Sequence, residues 1–267
     1  EKRAKSGLLR WREFLMKDAY SFHISNEEFE EYYEWMKKTY MKIFDRLELL
    51  DDTHITLADW WVFTDKYSHE FQVVLPIWED EIYICDECGT SHNKEVVDLD
   101  KGFECTKCNW KEHRIEKASE VWNIFPLETK FSKPFWVKML DNNNKEQDVL
   151  MWCYGIWISR LMWVIAEYNM AEKWIAWPDS VAPADYYIIV IWEENLEKAN
   201  DMATRLEAKW KTVILDDRMW KKVWFWQKAW DCELFWIPNR VVISPKTVEA
   251  GWFEVTLRGQ ESEIVKF

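Results

Sequence analysis

Apolar and aromatic side chains recur at helical spacing at Phe29, Tyr32, Tyr33, Met36, Tyr40 and Phe44, which sets one face of the segment for burial. Ser25-Asn26-Glu27-Glu28 stands directly before them. A short polar residue there caps the first turn, and carboxylates suit the positive end of the helix dipole. The pattern predicts a helix opening at Ser25 or Asn26, with its stripe in a core rather than on a binding surface. Upstream, residues 8–24 break short apolar runs with charges and predict antiparallel strands. Residues 53–57 and 70–75 predict strands around a turn at Asp59. Further strands are predicted over 119–126, 134–140 and 147–153, with a turn at Asp141-Asn142-Asn143-Asn144 and a helix over 156–169.

Past Trp177-Pro178, and as far as Pro183, a proline-marked boundary changes the pattern. Strands over 186–191, 212–215, 240–243 and 253–257 now alternate with helices over 194–209 and 219–234. Such alternation predicts a largely parallel sheet. The expected class is α/β overall: an α+β domain on an antiparallel sheet over 1–182, then an α/β domain over 183–267.

The 267 residues suffice for two modest cores. A net charge of −13 argues against a protein that coats nucleic acid without specificity, although a local basic patch is enough to bind one specific RNA. No apolar run reaches the ~18 residues that cross a bilayer, and no signal peptide opens the sequence. Glu1 stands first in place of Met, so a chain trimmed at its N-terminus is expected.

Cysteine changes the picture more. Four of the six Cys form two tight pairs, Cys85-x2-Cys88 and Cys105-x2-Cys108, with sixteen residues between them. This spacing is that of a zinc ribbon in a reducing cytoplasm rather than of disulfides. Four thiolates fill a tetrahedral shell, so Zn2+ is expected to be structural, with no open position for chemistry.

Tryptophan is the anomaly, with 21 Trp against 6 Gly, where average usage gives Gly about 7%. The run Gly7-Leu8-Leu9-Arg10-Trp11-Arg12-Glu13-Phe14, continuing to Lys17-Asp18-Ala19-Tyr20-Ser21-Phe22-His23, resembles motif 2 of bacterial-type prolyl-tRNA synthetases. These are class II enzymes, and Trp11 stands at a family Gly. The exchange recurs. Trp60 and Trp61 follow Asp59 where the family has Asp-Gly-Gly, and Trp78 precedes Glu79 where Gly is usual. Val121-Trp122-Asn123-Ile124-Phe125 resembles Val-Gly-His-Ile-Phe. Trp152 and Trp157 replace glycines in a stretch resembling Gly-Cys-Tyr-Gly-Ile-Gly-Val-Ser-Arg, and Trp236 replaces that of Ile-Gly-Ile-Pro. Trp177 matches a genuine family Trp. Glycine serves where φ is positive or backbone approaches a ligand, so a Trp-rich core explains this placement poorly. The expectation is UGA codons that the source reads as glycine and that stand here as Trp; UGG at positions 11, 60, 61, 152 and 157 would end that reading.

The resemblance runs along the whole chain. It implies a class II synthetase sheet with the ribbon as an insert, followed by an anticodon-binding domain. In motif 2 it gives Arg10 the outer phosphates of ATP, Phe14 the adenine face, and Glu1 the pattern's Glu. A guanidinium fork suits phosphate and a ring face suits a base. In motif 3, Gly155-Ile156-Trp157-Ile158-Ser159-Arg160 stands for Gly-x-Gly-x-x-Arg. Gly155 and position 157 then let backbone pass under the nucleotide, and Arg160 reaches the γ-phosphate. Arg10 and Arg160 are the expected catalytic pair, stabilising charge together with Mg2+ and without a covalent nucleophile.

Glu70, in Ser68-His69-Glu70-Phe71, is expected to pair with the secondary ammonium of proline. Cys153 is expected to line the proline pocket, with Phe22 and His23 walling it. Glu128-Thr129-Lys130-Phe131-Ser132 resembles a family strand near the amino acid, departing from it at Glu128. Asp216-Asp217-Arg218 resembles the anticodon-domain motif. Lys209, Lys211, Arg218, Lys221 and Lys222 supply either a basic patch for tRNA or a solvated charged face.

The implied reaction joins proline to ATP as prolyl-adenylate, then passes prolyl to tRNA(Pro), in the cytoplasm and as a homodimer. The short interval between the motifs makes an editing insertion unexpected. Motif 1 and the first motif-2 Arg are absent from the sequence, so this chain alone is expected to be inactive. Two other readings stay open. One is a threonyl or glycyl synthetase; Lys17 to His23 and Cys153-Tyr154-Gly155 favour prolyl. The other is a non-catalytic synthetase-like tRNA-binding module whose Trp stack on bases.

Overall fold

Strand β1 (Met16–His23) leads into helix α1 (Asn26–Arg46), where the Ser25 side chain accepts the Glu28 amide. Such a cap contributes about 1 kcal/mol. Of the predicted stripe, Phe29, Tyr33, Met36, Tyr40 and Phe44 are buried, and Tyr32 sits at its margin, 38% exposed. The computed structural model describes residues 4, 10–59, 67–77, 80–172, 174–219 and 223–266. Glu1, Gly7, Trp60, Trp61, Trp78, Lys221 and Lys222 lie outside the described residues. The chain divides into two compact units, 1–168 and 169–267. The segment 169–182 therefore falls within the second unit.

The first unit continues with β2 (Thr53–Asp59), β3 (Tyr67–Val74), β4 (Asp80–Cys85), β5 (Ser91–Asn93) and β6 (His113–Glu128). Then come β7 (Lys138–Leu140), β8 (Glu146–Asp148), β9 (Leu150–Trp157) and helix α2 (Ile158–Tyr168). The main sheet runs β1-β9-β6-β3-β2-β5-β4, antiparallel except for β2 with β5. Strand β6 also pairs with β4, closing that end of the sheet on itself. Its sixteen residues allow this: residues 113–118 carry β4, and the rest lies between β3 and β9.

One face of the sheet packs on α1. Phe71 and Trp122 meet Tyr40 and Phe44, and Trp152 stacks on Tyr33 and Phe29. The Trp152 indole N–H donates to the Phe29 carbonyl at 2.9 Å, whereas the buried indole nitrogen of Trp122 has no partner among the described residues. A bulge interrupts β6 against β3. Phe71 faces Trp122, but Gln72 faces Glu120, leaving Val121 as the extra residue. Alternation alone puts Glu120 beside Trp122 on the helix face; the bulge turns it to the open face with Asn123.

The strand expected over 134–140 is shorter. Lys133–Phe135 forms a helical turn and Trp136 adopts φ 51°, so only Lys138–Leu140 pairs, with β8. The helix expected from 156 opens at Ile158, because β9 keeps pairing with β1 as far as Trp157.

The second unit contains β10 (Tyr186–Val190), α3 (Leu196–Glu207), β11 (Val213–Asp216), α4 (Phe225–Leu234), β12 (Asn239–Ile243), α5 (Pro245–Glu249), β13 (Trp252–Leu257) and β14 (Ser262–Lys266). The sheet order is β11-β10-β12-β13-β14. The first three strands are parallel, but β13 and β14 add an antiparallel edge, so the sheet is less parallel than expected. A return turn at Gly259 (φ 75°) permits this hairpin. Alternate residues of β10 and β12 face opposite cores: Tyr187 and Ile189 with Ala229 and Cys232 of α4, Ile188 and Val190 with Ala199 of α3.

Candidate active site

On the open face, three adjacent strands set Asp18, Gly155 and Asn123 in one row. Tyr20, Cys153 and Phe125 form the next. These residues, with Glu120 and Trp157, line a cavity of about 540 Å³. Gly155 is its bare floor: a Cβ there would lie 3.3 Å from Met16 Cε and 3.7 Å from Asp18 Oδ1. Burial pushes the Cys153 thiol above its ordinary pKa, and proximity to Cys153 raises that of the Tyr20 phenol.

Arg160, in the first turn of α2, is buried and donates to the Glu120 carbonyl at 2.7 Å and to its carboxylate at 3.2 Å. Burial drives the Glu120 carboxyl upward, against the opposing pull of Arg160. The Arg160 guanidinium also lies 4.3 Å over the Trp157 ring, whose other neighbour is Phe14, 4.7 Å away. The indole of Trp157 thus packs against both Phe14 and Arg160. Arg10 is half-buried in the segment leading to β1, and Glu1 lies outside the described residues.

The predicted amino-acid residues do not all meet. Phe22 and His23 are neighbours on a strand and point to opposite faces. Phe22 is half exposed; His23 is buried under α1, against Phe29 and Tyr32, and bonded to Ser21 Oγ at 2.7 Å. Burial lowers the pKa of that imidazole. Neither residue lines the cavity, and neither does Glu70. Buried Glu70 sits one strand away, opposite Asn123 in register. Its carboxylate accepts from Gln72 Nε2 at 2.7 Å, Asn93 Nδ2 at 3.0 Å and Asn123 Nδ2 at 3.3 Å. Asn123 Nδ2 also donates to Glu120, at 3.4 Å, and its buried Oδ1 has no partner among the described residues. Asp18 and Glu120 carry no signal in the sequence that marks them as site residues; Asn123 carries one, standing for the His of Val-Gly-His-Ile-Phe.

The four cysteines of the insert do converge. Their sulfurs all lie within 4.8 Å of one another, with near pairs at 3.5 and 3.6 Å. Zinc–sulfur bonds of ≈ 2.3 Å in a tetrahedron require sulfurs about 3.8 Å apart, so the donor set fits Zn2+. Each Cys-x-x-Cys turn ends in a left-handed residue, Gly89 (φ 69°) or Asn109 (φ 58°). The amides of these two donate to the Cys85 and Cys105 carbonyls at 2.9 and 2.8 Å. The two turns are near copies of each other.

A family model described as tRNA synthetase class II core domain (G, H, P, S and T) matches residues 1–169. The chain belongs to the class II tRNA synthetase core family. This synthetase chain is 32% identical over 287 residues to a proline–tRNA ligase of Sulfurimonas denitrificans, covering 99% of itself and 64% of that protein. A probable mitochondrial proline–tRNA ligase of Schizosaccharomyces pombe is 32% identical, over 97% of this chain and 60% of its own length. The corresponding protein of Rattus norvegicus is 34% identical, over 82% and 47%. This class II chain thus spans less than two thirds of these relatives. A crystal structure of prolyl-tRNA synthetase from Cryptosporidium parvum complexed with L-proline and AMP shares the fold, with a TM-score of 0.66 over 100% of this chain and 48% of that one, at 18% identity.

In the second unit, Asp216 gathers the charges. It accepts from Tyr187 at 2.8 Å and from Arg218 at 2.6 and 2.9 Å, with buried Lys228 at 3.7 Å. Burial works to raise the Asp216 carboxyl, but these hydrogen bonds outweigh it and hold it low. Burial depresses the Lys228 ammonium. Arg218 also pairs with Asp231, and Lys211 with Asp185. Two of the five expected patch cations are thus engaged internally, while Lys221 and Lys222 lie outside the described residues. Among the described residues, no helix is long and apolar enough to cross a membrane.

Proposed function

We propose that this chain carries the catalytic core of a proline–tRNA ligase, which forms prolyl-adenylate from proline and ATP and passes prolyl to tRNA(Pro). The carrying observation is adjacency: the Asp18–Gly155–Asn123 row lies beside Phe14, position 157 and Arg160. Phe14 would take the adenine face, while Arg10 and Arg160 stabilise phosphate charge. Asp18 is the oxygen donor suited to Mg2+, which would neutralise phosphate charge when bound, while Glu120 holds Arg160. The unpartnered Oδ1 of Asn123 is offered to the proline ammonium, with Glu70 holding the amide in place. Cys153 supplies an apolar wall. Every step is positioning and charge stabilisation, with no covalent intermediate on the protein.

The same reading makes position 157 a glycine in the working enzyme. An indole between Phe14 and Arg160 fills the space where a base belongs. It assigns the four cysteines to structural Zn2+ and the second unit to anticodon binding. Homodimer assembly and a reducing, cytoplasmic setting complete it; the latter suits six free cysteines.

The test is titration of L-proline, L-threonine and glycine, each with ATP, into the full chain carrying Trp157→Gly. Tightest binding of proline supports the proposal. Preference for threonine or glycine moves the site to another class II specificity. Binding of RNA but of no amino acid leaves only a synthetase-like RNA-binding module.

A further inference from the structure

One arm of the cysteine insert runs to the hydrogen-bond network beside the cavity. Cys88 starts a six-residue path to Asn93 that the fold holds along its length. Thr90 O accepts the Cys85 amide at 3.0 Å, Ser91 Oγ bonds Thr56 Oγ1 and the Ile55 carbonyl at 3.0 Å, and His92 bonds Thr106 at 2.9 Å. Thr106 lies between the second pair of cysteines. The path delivers the Asn93 amide to Glu70, whose other oxygen takes Asn123, a wall of the cavity.

Asn93 divides its two polar atoms. Its Oδ1 accepts the Glu95 amide at 3.3 Å and caps a short turn; its Nδ2 donates to Glu70 Oε2 at 3.0 Å. Capping alone needs only the acceptor. The donor is aimed at a buried carboxylate, where a charge-assisted bond is strong and fixes orientation.

We propose that Asn93 is a positioning residue through which metal loading of the four cysteines sets the amino-acid pocket. The four thiolates would hold the metal, and its binding would tie the two Cys-x-x-Cys turns together and steady β5, keeping Asn93 on Glu70. Glu70 in turn fixes which way the Asn123 amide presents its acceptor to the cavity. This rests on the reading of that cavity as the proline pocket. The metal half of the coupling does not, because coupling between two sites is reciprocal.

The first experiment therefore reads zinc. Zn2+ affinity is measured on the full chain by competition with a chromophoric chelator, for the original sequence, Glu70→Gln, Asn93→Ser and the double variant. Serine keeps a capping oxygen and, being shorter, loses the amide that reaches Glu70. Glu70→Gln is expected to weaken Zn2+ about fivefold in the original background and not at all beside Asn93→Ser. No effect of Glu70→Gln, or equal effects in both backgrounds, overturns the coupling.

The second reads L-proline affinity in zinc-loaded and chelator-treated chain. Zinc is expected to tighten proline about fivefold, and Asn93→Ser to remove that difference while zinc still loads. A zinc effect untouched by Asn93→Ser overturns the assigned route. Absence of proline binding in every sample sinks the proline reading instead, and the zinc cycle still decides the coupling.

Discussion

The ring of Phe14 and the indole of Trp157 lie 4.7 Å apart at 33°, joining the segment before β1 to the last residue of β9. An adenine stacked on Phe14 from that side competes with this indole. Trp157→Gly is expected to tighten ATP at least tenfold, measured by equilibrium dialysis. An unchanged affinity would place the nucleotide elsewhere.

Among the described residues, four tryptophans have positive φ: Trp136 (φ 51°), Trp192 (71°), Trp210 (61°) and Trp236 (56°). A bulky residue there costs roughly 1–3 kcal/mol, and glycine does not pay that strain. Trp210 is 96% exposed and Trp136 85%, so little packing opposes the exchange. Trp210→Gly and Trp136→Gly are each expected to stabilise the chain by about 1 kcal/mol, read from the denaturant midpoint. Loss of stability in both would argue that the indoles belong there. Codons at all four positions supply an independent check.

Zinc should load one equivalent per chain. Co2+ substitution is expected to give the absorption of tetrahedral thiolate coordination, lost in Cys85→Ser and Cys108→Ser. Chelation is expected to lower the melting temperature of the first unit and leave the second unchanged. An octahedral Co2+ spectrum would contradict the four-sulfur site.

His69 carries a pH dependence. Burial first, and Lys37 second, push its pKa down from 6.5 to about 4, and Tyr33 hydrogen-bonds its ring. Below 6.5 the unfolded chain takes a proton that the native chain refuses until about 4. Stability present above pH 6.5 is therefore lost as pH falls toward 4, by up to about 1.4 kcal/mol per unit. Denaturation of the first unit across this window is expected to show that slope, and His69→Gln to flatten it. An identical slope in the variant would assign the effect to other groups.

Sequence carried the local features well. Ser25 and the stripe from Phe29 to Phe44 are a contiguous signal, so α1 was legible to within a residue at its start. Cysteine spacing likewise announced a cluster, because metal chemistry constrains neighbours along the chain. The cavity was less legible. Asp18, Asn123 and Gly155 meet only through the registers of β1, β9 and β6, which no local pattern states. Phe22 and His23 looked like a pair because they are adjacent, yet strand alternation separates them. Closure of β6 on β4 was invisible for the same reason: it depends on one strand being long enough to serve two partners.

The extra residue at Val121 has a consequence for how such chains diverge. One inserted residue decides which side of a sheet holds the carboxylate that grips Arg160. Removing a single residue there would disarm the cavity while leaving every reactive group in the sequence. Two relatives that agree letter for letter at Glu120 and Arg160 need not share a site, because counting, as much as chemistry, assembles this one.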